Sequence, residues 1–283
     1  MNEGEIALSD AEFEAIKARI LSYAGISLSD AKRTLVISRL SKLVRRAGLE
    51  SFAKYVDLLD HGATAAQKQE FVNALTTNLT RFYREDHHFD HLVDYVGEII
   101  RKPRQVAGKP RLRIWSAGCS TGQEPYTIGM ALLARYPQLK SWDFRILATD
   151  VDTAVLAQAA RGTYPGSEAN GLSADRLKQL ERDEAGQVHI PAAVRNLVAF
   201  KPLNLMQDWP FKGPFEAIFC RNVAIYFDRP TQHHLFARLG DMLVDGGYLY
   251  IGHSENIPAG TGGFTLKGKT IYQHFNRAMA RAS

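Results

Sequence analysis

From residue 111 onward the chain alternates short apolar runs with helix-length segments, and this rhythm constrains the fold more than any other feature. Residues 112–117 read as a strand, 124–135 as a helix, 144–149 as a second strand and 153–161 as a second helix. A further strand covers 215–220, and Pro230 stands where a helix would start, running to about 244. Asp245-Gly246-Gly247 breaks that helix ahead of a strand over 248–252. Strand, crossover helix and strand in succession imply a parallel sheet with helices on both faces. The closing run from Gly263, GFTLKGKTIYQHF, reads as a β-hairpin with Lys267-Gly268-Lys269 at its tip, adding antiparallel strands at one edge. Between 162 and 195 the rhythm fails. A Pro/Gly turn, a helix from Ser173 and a turn at Glu184-Ala185-Gly186 read there as an inserted, small β-rich subdomain.

The first hundred residues carry no strand-like alternation and read as an all-helical domain. Ser9-x-x-Glu12 is a capping box ahead of an apolar stripe at Phe13, Ile16 and Ile20. A second helix over 30–46 stops at Gly48, and a third starts near Ser51 and ends before Gly62. Thr64-x-x-Gln67 caps a fourth, and a fifth covers 86–100 with Phe89, Leu92, Val93 and Val96 on one face. Residues 101–110, RKPRQVAGKP, have the composition of a linker. The expected organisation is thus helices over 1–100, a linker over 101–110 and the α/β domain over 111–283. At 283 residues, with 45% hydrophobic and 23% charged, the chain has the makings of ordinary globular cores. Two cysteines exclude a disulfide scaffold and a four-thiolate zinc cage, and fit a reducing cytosol. The acidic opening, MNEGEIALSDAEFE, does not resemble a secretory leader, and no run reaches the ~18 apolar residues of a membrane span, so a cytoplasmic protein is expected.

Three loops lie where ligands bind in a doubly wound sheet, beyond the carboxyl ends of the strands. The first, SAGCSTGQEP from Ser116, has Gly118 and Gly122 for close backbone approach and Glu124 at the next helix start. It matches neither a dinucleotide fingerprint nor a phosphate loop. The second, ATDVD, ends a strand with Asp150, an acid suited to accept hydrogen bonds from both hydroxyls of a ribose. The two together suggest a nucleoside-bearing ligand without phosphates. In the third, CRNVAIYF, Arg221 and Asn222 overlook the same crevice, and Tyr226 reads equally as a core tyrosine. Asn204 and Leu205 end another strand beside it. Asn78, Thr80 and Arg84 lie in TTNLTRFYRE, which by itself reads as an interdomain loop.

Taken together, NLTRFYRE, WSAGCSTGQEPY, ATDVD, NL at Asn204, CRNVAIYFD and GHSEN resemble, in order, the CheR family of S-adenosylmethionine-dependent protein-glutamate O-methyltransferases of bacterial chemoreceptors. The similarity runs from about Glu12 to Phe275. It implies a Rossmann-like S-adenosylmethionine-dependent methyltransferase sheet, and S-adenosylhomocysteine as product. By resemblance, Asn78, Thr80 and Arg84 close over the methionine part of the cofactor, Glu124 meets its amino group and Asp150 its ribose. Gly118 approaches it closely, while Asn204, Leu205, Arg221 and Asn222 line the adenine and methyl-donor side. The inserted subdomain is where the chain departs from relatives that dock on a receptor's C-terminal peptide, because the turn over 183–186 is short.

An ionised glutamate needs no general base to attack a sulfonium methyl, so Arg84 and Tyr226 are expected to position the reactants rather than transfer protons. His253 and Glu255 are expected to buttress the site, and no metal is indicated. The second helix presents Lys32, Arg39 and Arg46 at seven-residue spacing with Lys42 and Arg45 alongside, and no acid between 32 and 46. That stripe suits an acidic helical partner, such as the cytoplasmic region of a chemoreceptor. Nucleic acid is disfavoured by a net charge of only +5 (35 basic and 30 acidic residues) and by the lack of interleaved aromatics. The expected protein is a monomer that reaches the membrane through receptors. A methyltransferase for another substrate, or a non-catalytic cofactor-binding module, would carry the same fold.

Overall fold

A computed structural model describes residues 6–102, 105–106 and 108–275. Four helices come first: α1 (Asp10–Ala24), α2 (Arg33–Arg46), α3 (Phe52–His61) and α4 (Ala65–Leu75). Both capping boxes form, Ser9 with Glu12 and Thr64 with Gln67, and Ser51 caps α3. A 3-10 turn, Asp30–Lys32, precedes α2, so the α-helix starts three residues later than its sequence pattern implies. The four helices bury Phe13, Ile16, Ile20, Val36, Leu40, Phe52, Leu59 and Phe71 in one core, as their periodic apolar faces require.

The fifth helix, α5 (His87–Arg101), does not share that core. Its Phe89, Leu92 and Val96 pack with sheet residues Ile114, Ile146 and Phe219. Amphipathicity requires a helix to bury one face but says nothing about its partner. The helical half therefore stops short of α5, and the expected boundary at 100 falls beyond a helix that covers the sheet. Part of the expected linker, residues 103, 104 and 107, lies outside the described residues. Within it β1 (Gln105–Val106) pairs antiparallel with the start of β2 (Lys109–Ala117).

The chain then runs through α6 (Gln123–Arg135), β3 (Asp143–Asp150) and α7 (Thr153–Arg161). The insertion follows as β4 (Thr163–Tyr164), α8 (Ala174–Leu177), β5 (Glu181–Arg182), β6 (Val188–His189) and α9 (Ala192–Arg195). Its strands form a separate three-stranded antiparallel sheet of order β4-β6-β5, each strand two residues long. The main sheet resumes with β7 (Val198–Pro202), β8 (Phe215–Cys220), α10 (Arg229–Asp241), β9 (Leu243–Ile251), β10 (Phe264–Gly268) and β11 (Ile271–His274). Two local expectations are corrected here. Asp245-Gly246-Gly247 does not end α10: the helix has already stopped at Asp241, and the glycines lie inside β9. There the register shifts from Phe215 opposite Leu243 to Ala217 opposite Tyr248, a bulge that Gly246 (φ 77°) accommodates. The closing hairpin turns at Lys269-Thr270, one residue beyond the expected tip.

The main strand order is β10-β11-β9-β8-β2-β3-β7, parallel from β9 to β7 and antiparallel at the β10 edge. Alternate side chains go to opposite faces: Ile114 and Phe219 meet α5 and α6, while Trp115 and Ile218 meet Leu235 and Phe236 of α10. The order of strand addition reverses at β2: β3 and β7 follow on one side and β8 and β9 on the other, all parallel to it. At such a switch point the loops leaving adjacent strands part and leave a crevice. The loops after Ala117, Asp150 and Cys220 all open there. No helix among the described residues is long and apolar enough to cross a membrane.

Candidate active site

The crevice is a cleft of about 330 Å³ between the helical unit and the sheet. Asn78, Thr80, Arg84, Gly118, Glu124, Asp150, Asn204, Leu205, Arg221, Asn222 and Tyr226 all line it, as does Lys32 from the helical side. Chain segments more than a hundred residues apart thus converge on one wall set.

The loop after β2 is tied to β3: the N–H groups of Gly118 and Cys119 both donate to the Thr149 carbonyl, at 2.8 and 2.9 Å. Gly118 has φ +86°, and a Cβ added there would lie 2.3 Å from Val223 Cγ2. The β2 and β8 loops therefore touch at a point where only glycine fits. Gly118→Ala is expected to cost about 1–3 kcal/mol from backbone strain and collision. Val223→Ala should recover the collision part alone, so urea unfolding of the single and double variants separates the two contributions.

The base of the cleft holds buried carboxylates. Asp150 accepts from the N–H of Ser120 (2.8 Å) and of Asp152 (2.9 Å). Burial pushes its carboxyl up to about 6, against the pull of those donors. Glu124 accepts from Ser116 Oγ at 2.7 Å and from Arg221 Nη1 at 3.1 Å. Burial raises its carboxyl despite that guanidinium. Arg221 also donates to the Arg84 carbonyl and lies 3.5 Å from Glu85 Oε2. Burial works to raise the Glu85 carboxyl, but Arg221, His253 and His88 outweigh it and hold the group below the usual carboxylate range. Its other oxygen sits 3.1 Å from His253 Nδ1. Arg221 is thus a buried cation between two acids, with its Nε left unbonded.

Several expected ligands are already engaged by the protein. Asn78 donates to Asp152 Oδ2 at 2.8 Å, and its carbonyl accepts from Ser120 Oγ at 3.0 Å. Arg84 Nη1 donates to the Leu79 carbonyl at 2.8 Å, closing the 79–84 loop on itself. Asn204 donates to the Tyr23 carbonyl at 2.7 Å and accepts from the Met206 N–H, so its amide pins the sheet to the end of α1. Asn222 has φ 58°, and Tyr226 packs between the helical core and the α10 face of the sheet. Two residues that sequence reasoning left without a site role, Asp152 and Glu85, prove central, and a third, Glu255, does more than was expected of it. Asp152 caps α7 and accepts from Thr76 Oγ1 and Asn78, locking the interdomain segment. Glu85 is the second acid on Arg221. Glu255 goes beyond a buttress, accepting N–H bonds from Gly252, Asn222, Val223 and Ile225. NLTRFYRE, ATDVD and GHSEN contain these acids, but nothing in the strings names their partners.

The basic stripe of α2 is not the free surface its spacing suggests. Arg39 turns inward and donates to the Ala74 and Thr76 carbonyls at the end of α4. Arg46 pairs with Glu70 of α4 at 2.7 Å. The lack of acids between 32 and 46 does not govern what a neighbouring helix supplies. Lys42 and Arg45 are exposed. Cys119 and Cys220 are both free and buried, with their thiols pushed up by burial.

Family models match both parts of the chain: one described as "CheR methyltransferase, all-alpha domain" over residues 11–76, and one as "CheR methyltransferase, SAM binding domain" over 78–273. A probable chemotaxis protein methyltransferase of Rhizobium etli is 43% identical over 93% of this chain and 99% of its own length. The chemotaxis protein methyltransferase of Escherichia coli is 40% identical over 94% of this chain and 92% of its own. Chemotaxis protein methyltransferase 2 of Pseudomonas aeruginosa is 40% identical, with 92% of each chain covered.

Proposed function

This chain belongs to the CheR methyltransferase family, and we propose that it transfers a methyl group from S-adenosylmethionine to glutamate side chains in the cytoplasmic helical region of bacterial chemoreceptors. The observation that carries this reading is the distribution of charge in the cleft. Its two acidic lining residues lie at the base, Asp150 buried and Glu124 with its side chain 11% exposed, with Arg221 offsetting one of the two charges, while Lys32 and Arg81 stand at the accessible side. Such a cleft takes a cation inside and an anion from outside.

The residues fit the cofactor. Asp150 keeps acceptor capacity for ribose hydroxyls, and Glu124 suits an ammonium group. Arg221 has a buried unbonded Nε, and Leu205, Val223 and Val151 supply apolar walls. Asn78, Thr80 and Arg84 hold the methionine part, and Asn204, Leu205, Arg221 and Asn222 border the adenine and methyl-donor side. The bound cofactor supplies an electrophilic methyl on a positively charged sulfur.

The substrate glutamate arrives ionised, since its ordinary pKa is ~4.3, so no residue has to remove a proton. What the chain contributes is alignment and exclusion of water from the carboxylate. Opposite charges cancel as the methyl passes, so a strong cation fixed on the carboxylate would stabilise the ground state and slow the step. Arg84 is suited to positioning because its Nη1 is held by the Leu79 carbonyl and its charge is partly offset by Glu85, whose Oε1 lies 3.9 Å from its Nε. Tyr226 lies on the same wall set and orients the incoming side chain. Lys32, Lys42 and Arg45 attract an acidic helix at a distance, and added salt should weaken that attraction.

Methyl transfer from labelled S-adenosylmethionine to a chemoreceptor cytoplasmic fragment tests the reading. Base-labile label on the fragment supports it; label on nucleic acid or small molecules only, or cofactor binding without turnover, overturns it. The same site sets a pH dependence. The folded pKa of Asp150, about 6, lies above its ordinary 3.8. The stability this group contributes is therefore present below pH 3.8 and lost as pH rises through about 6. Ribose hydroxyls require the ionised form. Affinity for S-adenosylhomocysteine should hold above pH 7 and fall below 6, approaching about tenfold per pH unit, with a proton released on binding. Asp150→Asn should bind more weakly and with a flat profile by calorimetry.

A further inference from the structure

Leu79 is 80% exposed, the largest exposure of any large hydrophobic side chain among the described residues, and Ile225 is 47% exposed. Single exposed aliphatics are ordinary on a protein surface. These two differ because both line the cleft, one on the interdomain segment and one on the loop after β8. Both are also held out on fastened backbone. The Leu79 carbonyl accepts from Arg84, and its neighbour Asn78 is tied to Ser120 and Asp152. The Ile225 N–H donates to Glu255 at 3.2 Å, within the carboxylate clamp. Little backbone entropy is left to lose when a partner covers them. Beside them stand Lys32, half-buried, and Arg81, exposed, neither of which forms an ion pair with a described residue.

We propose that Leu79 and Ile225 read the side chains flanking the target glutamate, and that the occupant is a helix carrying aliphatic residues one turn either side of it. This rests on the function proposed above and names the surface that selects the methylated position. A glutamate lowered into the cleft from a helix brings its i±3 and i±4 neighbours onto the same face. Those neighbours meet the two aliphatic side chains, while acids elsewhere on the helix meet Arg81 and Lys32. The basic residues supply attraction; the aliphatic pair discriminates between glutamates by the turns around them.

The test is steady-state methylation of a chemoreceptor cytoplasmic fragment by Leu79→Ser, Ile225→Thr and Leu79→Met. Loss of an aliphatic contact should raise KM for the fragment about tenfold in each of the first two variants. In both, kcat and the Kd for S-adenosylhomocysteine should stay within about twofold, and the salt dependence of KM should match that of the parent chain. Leu79→Met, which keeps an apolar side chain, should restore KM. Thermal melts verify that each variant is folded. Unchanged KM in both Leu79→Ser and Ile225→Thr overturns the proposal, as does a rise in KM matched by equal loss of cofactor affinity. A parent chain that binds cofactor yet methylates no fragment overturns the proposed function, and this inference with it.

Discussion

Arg221→Met is expected to destabilise the protein by about 3–5 kcal/mol and abolish measurable binding of S-adenosylhomocysteine, because it leaves two buried acids without their cation. Arg221 lies 3.1 Å from Glu124 and 3.5 Å from Glu85, and its side chain is 2% exposed. The pH dependence identifies the cause. In the parent chain Arg221 opposes the rise of the Glu124 carboxyl and helps hold the Glu85 carboxyl down. Without it both folded-state values rise, so the folded variant binds protons that its unfolded chain has released. The loss of stability should therefore be largest near pH 8 and shrink toward pH 5. Adding Glu85→Gln and Glu124→Gln should recover much of the stability, since a neutral set carries no unpaired charge, but not cofactor binding. Urea midpoints at the two pH values, beside calorimetry, check this. A midpoint shift that does not change with pH would place the loss in packing instead.

Glu255→Ala should be comparably severe, at least about 3 kcal/mol, because it strips the acceptor from four backbone N–H groups at once. One carboxylate oxygen takes Asn222 (2.8 Å) and Gly252 (2.5 Å), the other Val223 (2.9 Å) and Ile225 (3.2 Å). The two loops at the carboxyl ends of β8 and β9 are shaped around that group, and Asn222 holds φ 58° within it. Glu255→Gln should not rescue: an amide turns one oxygen into a donor that faces two donors, so at most half of the clamp survives. Urea unfolding, with hydrogen exchange at residues 222–225, reads both effects. Exchange at those amides that matches the parent chain would overturn the assignment.

Locally encoded features were legible without the structure. The capping boxes at Ser9 and Thr64, the apolar stripes of α1 to α5 and the alternating strands and helices all rest on contacts within a few residues, which spacing records. The strand-end residues Gly118, Asp150, Arg221 and Asn222 were also drawn together, since strand ends in a doubly wound sheet are adjacent by topology, whereas Asn78, Thr80 and Arg84 joined them only through the family resemblance. Tertiary structure decided the rest. Periodicity announces that α5 buries a face, but only the packed fold shows that face against the sheet rather than the helical core. Arg39 and Arg46 look like a free stripe until α4 lies beside them, offering carbonyls and Glu70. Asp152 reaches Thr76 and Asn78 across more than seventy residues, and Glu85 reaches Arg221 across more than a hundred. Residue type and spacing specify which groups a chain can offer. Which group meets which across such separations depends on how the finished elements pack, and in this protein that packing sets the charges at the base of the cleft.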